Sequence, residues 1–392
     1  MNFAESDERV ALREAVRDLA AGYGAAYFQE VVRSGGKVNE LWSRAGRLGY
    51  LGVHLPEEHG GGGAGIGELA AVCEEFAAAG CPLLLMVVSP AICGTVISRF
   101  GTEDQRKTWL PGFADGTLKM AFGITEPDAG SNSHRLSTIA RKDGPGANAD
   151  WLLTGRKTFI SAVDDCPYVL IVGRTADERT GRLKPVLFVV PTDAPGFAAT
   201  PIDMEIAVPE KQWQLFLDDV RLPADALVGD EHAGLAQLFA GLNPERIMVG
   251  AYATGIARQA LGKAVEYAKV RQVWDVPIGA HQGLAHPLAA AHVQTELARL
   301  MLAKAAWLYD TAELRDTPAA GEAANMAKYA AAEAACAAVD QAVQTLGGNG
   351  LTTEYGVAQL LVAARLGRVA PVSREMILNF IAQHSLGLPR SY

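Results

Sequence analysis

The apolar residues of this chain change their spacing twice, and that switch limits the folds open to it. Up to about residue 118 they recur at helical spacing: Val10, Leu12, Val16 and Leu19 form one stripe. Leu41, Trp42, Ala45 and Leu48 begin another, which ends at Gly49. Around Lys119 short runs rich in β-branched, aromatic and aliphatic residues take over, at 120–124, 151–160, 168–172, 186–190 and 214–217. Gly, Pro and Asp separate these runs, and the intervals 142–150 and 176–184 read as hairpin loops. From about Glu231 helical segments return, over 234–272, 282–315, 319–346 and 351–365. A last helix follows Ser373 as N-cap, with Val372 and Ile377 placed for a hydrophobic staple. With no helix between the strand runs, a mostly antiparallel sheet or barrel is expected rather than a parallel one. The expected class is α+β: an N-terminal α-helical domain (1–118), a small, mostly antiparallel β domain (119–230) and a C-terminal four-helix-type bundle (231–392).

Composition bounds the function. The 392 residues are 49% hydrophobic and 20% charged, enough for a large core and two or three domain-sized units. A net charge of −9 argues against a nucleic-acid partner but permits an anionic small ligand, for which a few local arginines suffice. Five cysteines, an odd number with no close pair, read as buried thiols in a reducing compartment. His281, His286 and His292 are spaced wrongly for one helical face, so no metal site is expected. The acidic, polar start has no signal-peptide pattern, and no run approaches the ~18 apolar residues of a membrane span. The expectation is a soluble cytoplasmic protein without membrane insertion. Four glycines at 60–63 lack the Lys-Ser/Thr of a phosphate loop and read as a turn before a helix at 66–79.

A candidate for chemistry lies in Leu242-Asn243-Pro244-Glu245-Arg246. At 100° per residue, Leu238, Leu242, Glu245, Val249, Tyr252 and Ile256 fall on one apolar stripe. A carboxylate there is a salt-bridge partner or a base kept from water, since desolvation raises its proton affinity. Asn243-Pro244-Glu245 is equally a good helix start, with Asn243 as N-cap and Pro244 at the first helical position. Arg246 reads either as a structural counter-ion or as part of a site.

In the β region, the stretch Phe122-Gly123-Ile124-Thr125-Glu126-Pro127-Asp128-Ala129-Gly130-Ser131 runs a strand into a turn that leaves N–H groups and hydroxyls at the strand end. A second strand carries Lys157-Thr158-Phe159-Ile160-Ser161. These motifs resemble those of the acyl-CoA dehydrogenase family of flavoenzymes. Two more agree: Tyr267-Ala268-Lys269-Val270-Arg271 with Trp274, Pro277-Ile278 and Gln282, and Gln344-Thr345-Leu346-Gly347-Gly348-Asn349-Gly350. The resemblance spans nearly the whole chain, with its motifs in order.

It implies non-covalent FAD and a homotetramer built as a dimer of dimers. Phe122, Ile124, Thr125, Gly130, Ser131, Phe159 and Ser161 would meet the flavin, with Ser131 also near the substrate's pantetheine. Arg271, Trp274, Gln282, Gln344, Gly347 and Gly348 would reach the pyrophosphate and adenosine of a neighbouring subunit's FAD, with Ser373 and Glu375 as weaker matches near the adenosine. The implied reaction is α,β-dehydrogenation of an acyl-CoA to the trans-2-enoyl-CoA: a carboxylate removes the α-proton, flavin takes the β-hydride, and an electron-transfer flavoprotein accepts the electrons. Much of the family carries its base in the turn before the last helix, where this chain has Pro371. A smaller group, with isovaleryl-CoA and long-chain enzymes, carries it on the long helix, which here is Glu245. Asn243 and Arg246 would then flank the substrate. Two departures stand out: Pro371 has no N–H to offer a thioester oxygen, and Asp275 replaces a glycine of the pattern. Alternatives on the same fold are a carrier-protein thioester dehydrogenase or oxidase, a flavin monooxygenase, and a catalytically silent binding member.

Overall fold

The computed structural model describes residues 4–144, 146, 149–176, 181–231 and 235–391. The N-terminal part consists of α1 (Asp7–Ala21), α2 (Gly24–Arg33), α3 (Asn39–Arg47), α4 (Ile66–Ala78), α5 (Thr95–Phe100) and α6 (Glu103–Asp115), with a π-helical stretch, Val87–Gly94, leading into α5. Local chemistry sets the ends. Ser6 Oγ accepts from the Arg9 amide at the start of α1, and Thr102 and Gln105 bond each other's amides at the start of α6. The start of α4 is capped from elsewhere: the amides of Ile66 and Gly67 donate to the Asp310 carboxylate at 2.7 and 3.0 Å. Gly65 permits this approach, because a Cβ there would lie 2.3 Å from an Asp310 oxygen.

The middle part is one eight-stranded sheet made of β1 (Met120–Gly123), β2 (Ile139–Asp143), β3 (Asp150–Ser161), β4 (Tyr168–Ala176), β5 (Leu183–Pro191), β6 (Phe197–Ile202), β7 (Gln212–Leu222) and β8 (Leu227–Val228). The order is β6-β7-β3-β2-β4-β5-β8, with β1 beside β4. Every expected run coincides with a strand, except that Ile124 falls just past the end of β1. Pairing is antiparallel except for β1–β4 and the single register of β2 on β4, where the chain returns after the 124–138 excursion. The two expected hairpins join β2 to β3 and β4 to β5; their residues 145, 147, 148 and 177–180 lie outside the described residues. Strands β2 and β6 escape the sequence pattern because they are short, and Arg, Lys, Asp or Thr interrupts their apolar residues.

The C-terminal part holds α7 (Leu235–Val270), α8 (Gln282–Asp310), α9 (Pro318–Leu346), α10 (Gln359–Val369) and α11 (Arg374–His384), with a two-strand ribbon, β9 (Gln272–Val273) and β10 (Val276–Pro277), after α7. Residue 234 of the first expected segment is outside the described residues. The helix expected over 351–365 begins only at Gln359. Turns fill 351–356: Thr352 Oγ1 closes back on the Asn349 carbonyl at 2.8 Å, and Gly356 sits at φ +61°.

The helix-start reading of Asn243-Pro244 is corrected. Helix α7 runs through both residues, with Pro244 in its interior. A proline there deprives the carbonyl four residues earlier of its donor. That carbonyl, on Ala240, accepts instead from the Tyr309 hydroxyl of α8 at 3.0 Å. Asn243 caps nothing; its Oδ1 accepts from Arg246 Nη1 at 3.0 Å. Leu238, Val249, Tyr252 and Ile256 are buried, so the stripe is the packed face of α7.

Buried ionic clusters lock the parts together. Glu74 and Glu75 of α4 meet Arg13 at 2.6 and 2.9 Å; Arg258 of α7 reaches Glu75 at 2.9 Å and Arg299 of α8 reaches Glu74 at 2.7 Å. Burial alone would push the Glu75 carboxyl up; Arg258 and Arg13 outweigh it and hold it below its ordinary value. In the sheet, Lys157 Nζ of β3 lies 2.8 Å from Glu126 and donates to the Ile124 carbonyl at 3.2 Å. Glu126 also accepts from the amides and hydroxyls of Ser137 and Thr138. Burial opposes its charge, yet Lys157 and these donors hold its carboxyl down at about 2.

Removing one partner of a buried pair leaves the other charge uncompensated, at about 3–5 kcal/mol. Glu75→Ala is expected to lose less than that in denaturant unfolding, because Glu74 still meets Arg13 at 2.6 Å and Arg258 at 3.5 Å. Lys157→Met is expected to cost the full amount, and adding Glu126→Leu to recover little of it, because the amides and hydroxyls of Ser137 and Thr138 then lose their acceptor. The Glu126 contribution is fully present above its ordinary value of 4.5 and is lost as pH falls toward about 2. A pH series of unfolding midpoints over that window checks it.

Candidate active site

Three elements converge where α7 passes the end of the sheet. Leu242, one turn before Glu245 and Arg246, packs in the same apolar cluster as Phe122, Ile124, Ile92 and Cys93. Cys93, in the π-helical stretch, approaches the Ala121 carbonyl of β1 at 3.5 Å and feels the charge of Glu245. The stripe carboxylate, the strand end and the π-helical wall thus share one locality.

Glu245 is half-buried and takes no hydrogen bond among the described residues. Burial pushes its carboxyl up to about 7, a rise that Arg246 and Lys328 only partly offset. Such a group is about half ionised at neutral pH and readily exchanges its proton. Arg246 is buried, bonded through Nη1 to the Leu242 carbonyl and Asn243, and its Nε has no partner. Lys328, on α9, is buried too; its Nζ donates to the Val372 carbonyl, in the turn before α11. Pattern reading missed Lys328, although the signal matches that of Glu245: a charge on a buried helix face, here among Ala324, Ala331 and Ala335.

The strand-end residues form a cradle beside this group. The Glu126–Lys157 pair ties Ile124 and Thr125 to β3, and the Thr158 amide donates to the Thr125 carbonyl at 2.9 Å. Both residues lie in the motif stretches, but sequence spacing gives no sign of their pairing, because 31 residues separate them. A break in register between Lys157 and Ile160 leaves Phe159 at φ +56° and 56% exposed. A bulge that re-aims an aromatic, held at positive φ, is characteristic of a ligand contact. Ser161 Oγ accepts from Gln212 at 2.9 Å. Gly130 and Ser131 lie exposed on the excursion beyond the strand.

The structure does not bring the remaining candidates to this place. Arg271 follows α7 at its far end, about 39 Å from Glu245 at 1.5 Å per residue. There the Asn349 amide group donates to the Tyr267 hydroxyl at 3.0 Å, joining the two signature motifs of the C-terminal part. Arg271, Trp274, Gln282, Gln344, Gly347 and Gly348 are all exposed in this region. Trp274, 85% exposed, and Asp275 occupy the turn of the ribbon at φ +55° and +63°. Such a turn requires positive φ at both central residues, which Asp tolerates, so Asp275 reproduces the backbone that a glycine would give. Ser373 and Glu375 lie on the Lys328 side instead. Ser373 spends its hydroxyl on the Met376 amide at 3.3 Å, and Glu375 is exposed.

Known proteins share the three-part architecture of this chain. Family models described as the N-terminal, middle and C-terminal domains of acyl-CoA dehydrogenase match residues 6–117, 121–220 and 232–386. Acyl-CoA dehydrogenase FadE12 of Mycobacterium tuberculosis is 64% identical over 391 residues, covering 100% of this chain and 99% of that protein. Among solved structures, a glutaryl-CoA dehydrogenase in complex with glutaryl-CoA superposes with TM-score 0.93 at 29% identity, over 100% of this chain and 98% of that one. A Mycobacterium smegmatis glutaryl-CoA dehydrogenase in complex with FADH2 gives 0.89 at 28% identity, over 99% and 96%. The chain belongs to the acyl-CoA dehydrogenase family of FAD-dependent oxidoreductases.

Proposed function

We propose that the protein oxidises an acyl-CoA thioester to its trans-2-enoyl-CoA, with Glu245 as the base that removes the α-proton. The observation that carries this reading is a carboxyl without hydrogen bonds, raised to about 7 by burial and held beside the strand-end cradle. An α C–H is a weak acid, so its removal needs a base stripped of water and nearby charge to stabilise the enolate that develops. Arg246, buried with an unpartnered Nε, supplies positive charge next to the base. Pro371 provides no competing carboxylate and no N–H. Asn243 fixes Arg246, and Ser131, exposed beyond the strand end, is assigned to the pantetheine arm.

FAD, when bound, supplies the acceptor for the β-hydride. Ile124, Thr125, Phe159 and Ser161, with Phe122 and Gly130, suit its ring and ribityl chain. The Arg271, Trp274, Gln282, Gln344, Gly347 and Gly348 group is too far along α7 to share the same FAD, so we assign it to the dinucleotide of a second copy. The fork of Arg271 fits a pyrophosphate. Ser373 and Glu375 take supporting places beside the Lys328 turn. Exposed Val293, Leu297, Leu300 and Trp307 line one face of α8, an apolar surface suited to a further pair of copies, as in a cytoplasmic homotetramer. An electron-transfer flavoprotein is the proposed acceptor.

Anaerobic mixing of the FAD enzyme with a panel of acyl-CoAs should bleach the flavin absorbance. Glu245→Gln should keep FAD and fold yet reduce several orders of magnitude more slowly, and wild-type reduction should fall away below a pH of about 7, where the base is protonated. Bleaching by an acyl-carrier protein but by no acyl-CoA would reassign the substrate, and near-normal reduction by the Gln variant would remove Glu245 from its role. Turnover with a ferrocenium-type acceptor but not with oxygen checks the dehydrogenase assignment. Leu297→Glu, placed on the α8 face, should lower the assembly mass in light scattering while leaving each protomer folded.

A further inference from the structure

Two buried cations attend Glu245, and the second serves a purpose that packing alone does not explain. Lys328 is 1% exposed, and its Nζ donates to the neutral carbonyl of Val372. Among the described residues no carboxylate forms an ion pair with it. An ammonium in that position keeps its proton only if negative charge faces it. The charged groups around it come from each neighbouring element: Glu245 and Arg246 from α7, Glu333 from α9 and Glu375 from α11. Glu333 is committed to Arg368 at 2.7 Å and Arg374 at 3.6 Å, and Glu375 lies exposed. Arg246 repels. Glu245 is therefore the uncommitted carboxylate at this seam, where Asn243 and Gly250 of α7 pack against Gly321 and Ala331 of α9 on either side of the pair, and Lys328 and Glu245 influence each other reciprocally.

We propose that Lys328 is a positioning residue of the reaction: it anchors the turn before α11 to α9 and supplies the buried positive charge that keeps Glu245 ionised ahead of proton abstraction. Burial lowers the Lys328 ammonium to about 8 and the charge of Glu245 opposes that fall, so each of the two groups favours the charged form of the other. Cys93, the other titratable neighbour of Glu245, has its thiol pushed far up by burial and stays neutral there. The arrangement also explains how an α-carbon base survives on a buried helix face without a hydrogen bond of its own. This proposal rests on Glu245 being the base.

The test is the pH dependence of anaerobic flavin reduction by a reactive acyl-CoA, measured for wild type, Lys328→Met, Lys328→Arg and Glu245→Gln, with FAD content and thermal midpoint recorded for each. Loss of a nearby opposite charge raises a carboxyl by about one pH unit or more. Lys328→Met should therefore move the acidic midpoint up by at least that amount, with much of the rate recovered at high pH. Lys328→Arg keeps the charge and should leave the midpoint in place, even if the altered contact with Val372 lowers the plateau. If Lys328→Met lowers the rate equally at all pH with the midpoint unmoved, Lys328 is structural only and the proposal is overturned. Should Lys328→Met not fold, a midpoint moved in Lys328→Arg would overturn it equally. Near-normal reduction by Glu245→Gln would instead overturn the assignment of the base itself.

Discussion

Helix α7 buries its stripe where α4 and α8 are pinned by charge as well as by apolar packing. Glu74 and Glu75 sit adjacent on α4, and each would be costly to bury alone. Arg13 approaches from α1, Arg258 from α7 and Arg299 from α8, so one acidic pair satisfies three separate helices. With α4 fixed in that way, the π-helical stretch that follows it is pressed between α7 and β1. It there becomes one wall of the region in which Glu245 is desolvated. The raised proton affinity of Glu245, the proposed base, comes from burial that this ionic junction helps to hold in place.

The same dependence explains the proline. An interior Pro244 would ordinarily cost about 3 kcal/mol. The helix nonetheless continues through it, because the carbonyl it orphans finds the Tyr309 hydroxyl on α8. A donor from a neighbouring helix substitutes for a backbone donor, and Glu245 and Arg246 are carried past the sheet on an unbroken helix. Asn243, freed from capping, becomes the acceptor that orients Arg246.

Much of this was legible in the sequence wherever the cause is local. The stripe of α7, the Ser373 cap, the strand runs and the order of helices and sheet all follow from periodicity and turn chemistry within a few residues. What escaped is non-local. Pro244 read as a helix start because Tyr309 lies 65 residues on. The pairing of Lys157 with Glu126 drew no notice because it needs β3 to lie beside the turn after β1. The strand β2 carries Arg141 and Lys142, which pattern reading takes as loop, and only its pairing with β3 makes it a strand. The site divides in the same way. Phe159 and Ser161 were found from spacing and motif, whereas the positive φ that lifts Phe159 out of the sheet comes from a register break against β7.

Charge balance gives the site its character. Glu245 stands against two buried cations, Arg246 and Lys328, so the locality carries excess positive charge once the base is ionised. Taking up a proton at Glu245 raises that excess further. A substrate that loses a proton and develops negative charge on its thioester oxygen would restore the balance at the moment the base is neutralised. With Glu245 in its proposed role as base, the cations favour the transition state over the resting complex, which is the condition for catalysis rather than tight binding. A glutamate on a solvated turn would need no such arrangement. One placed on the buried face of a helix requires cations that reach it through the core, and α9, with its close-packing alanines, brings one near enough to do so.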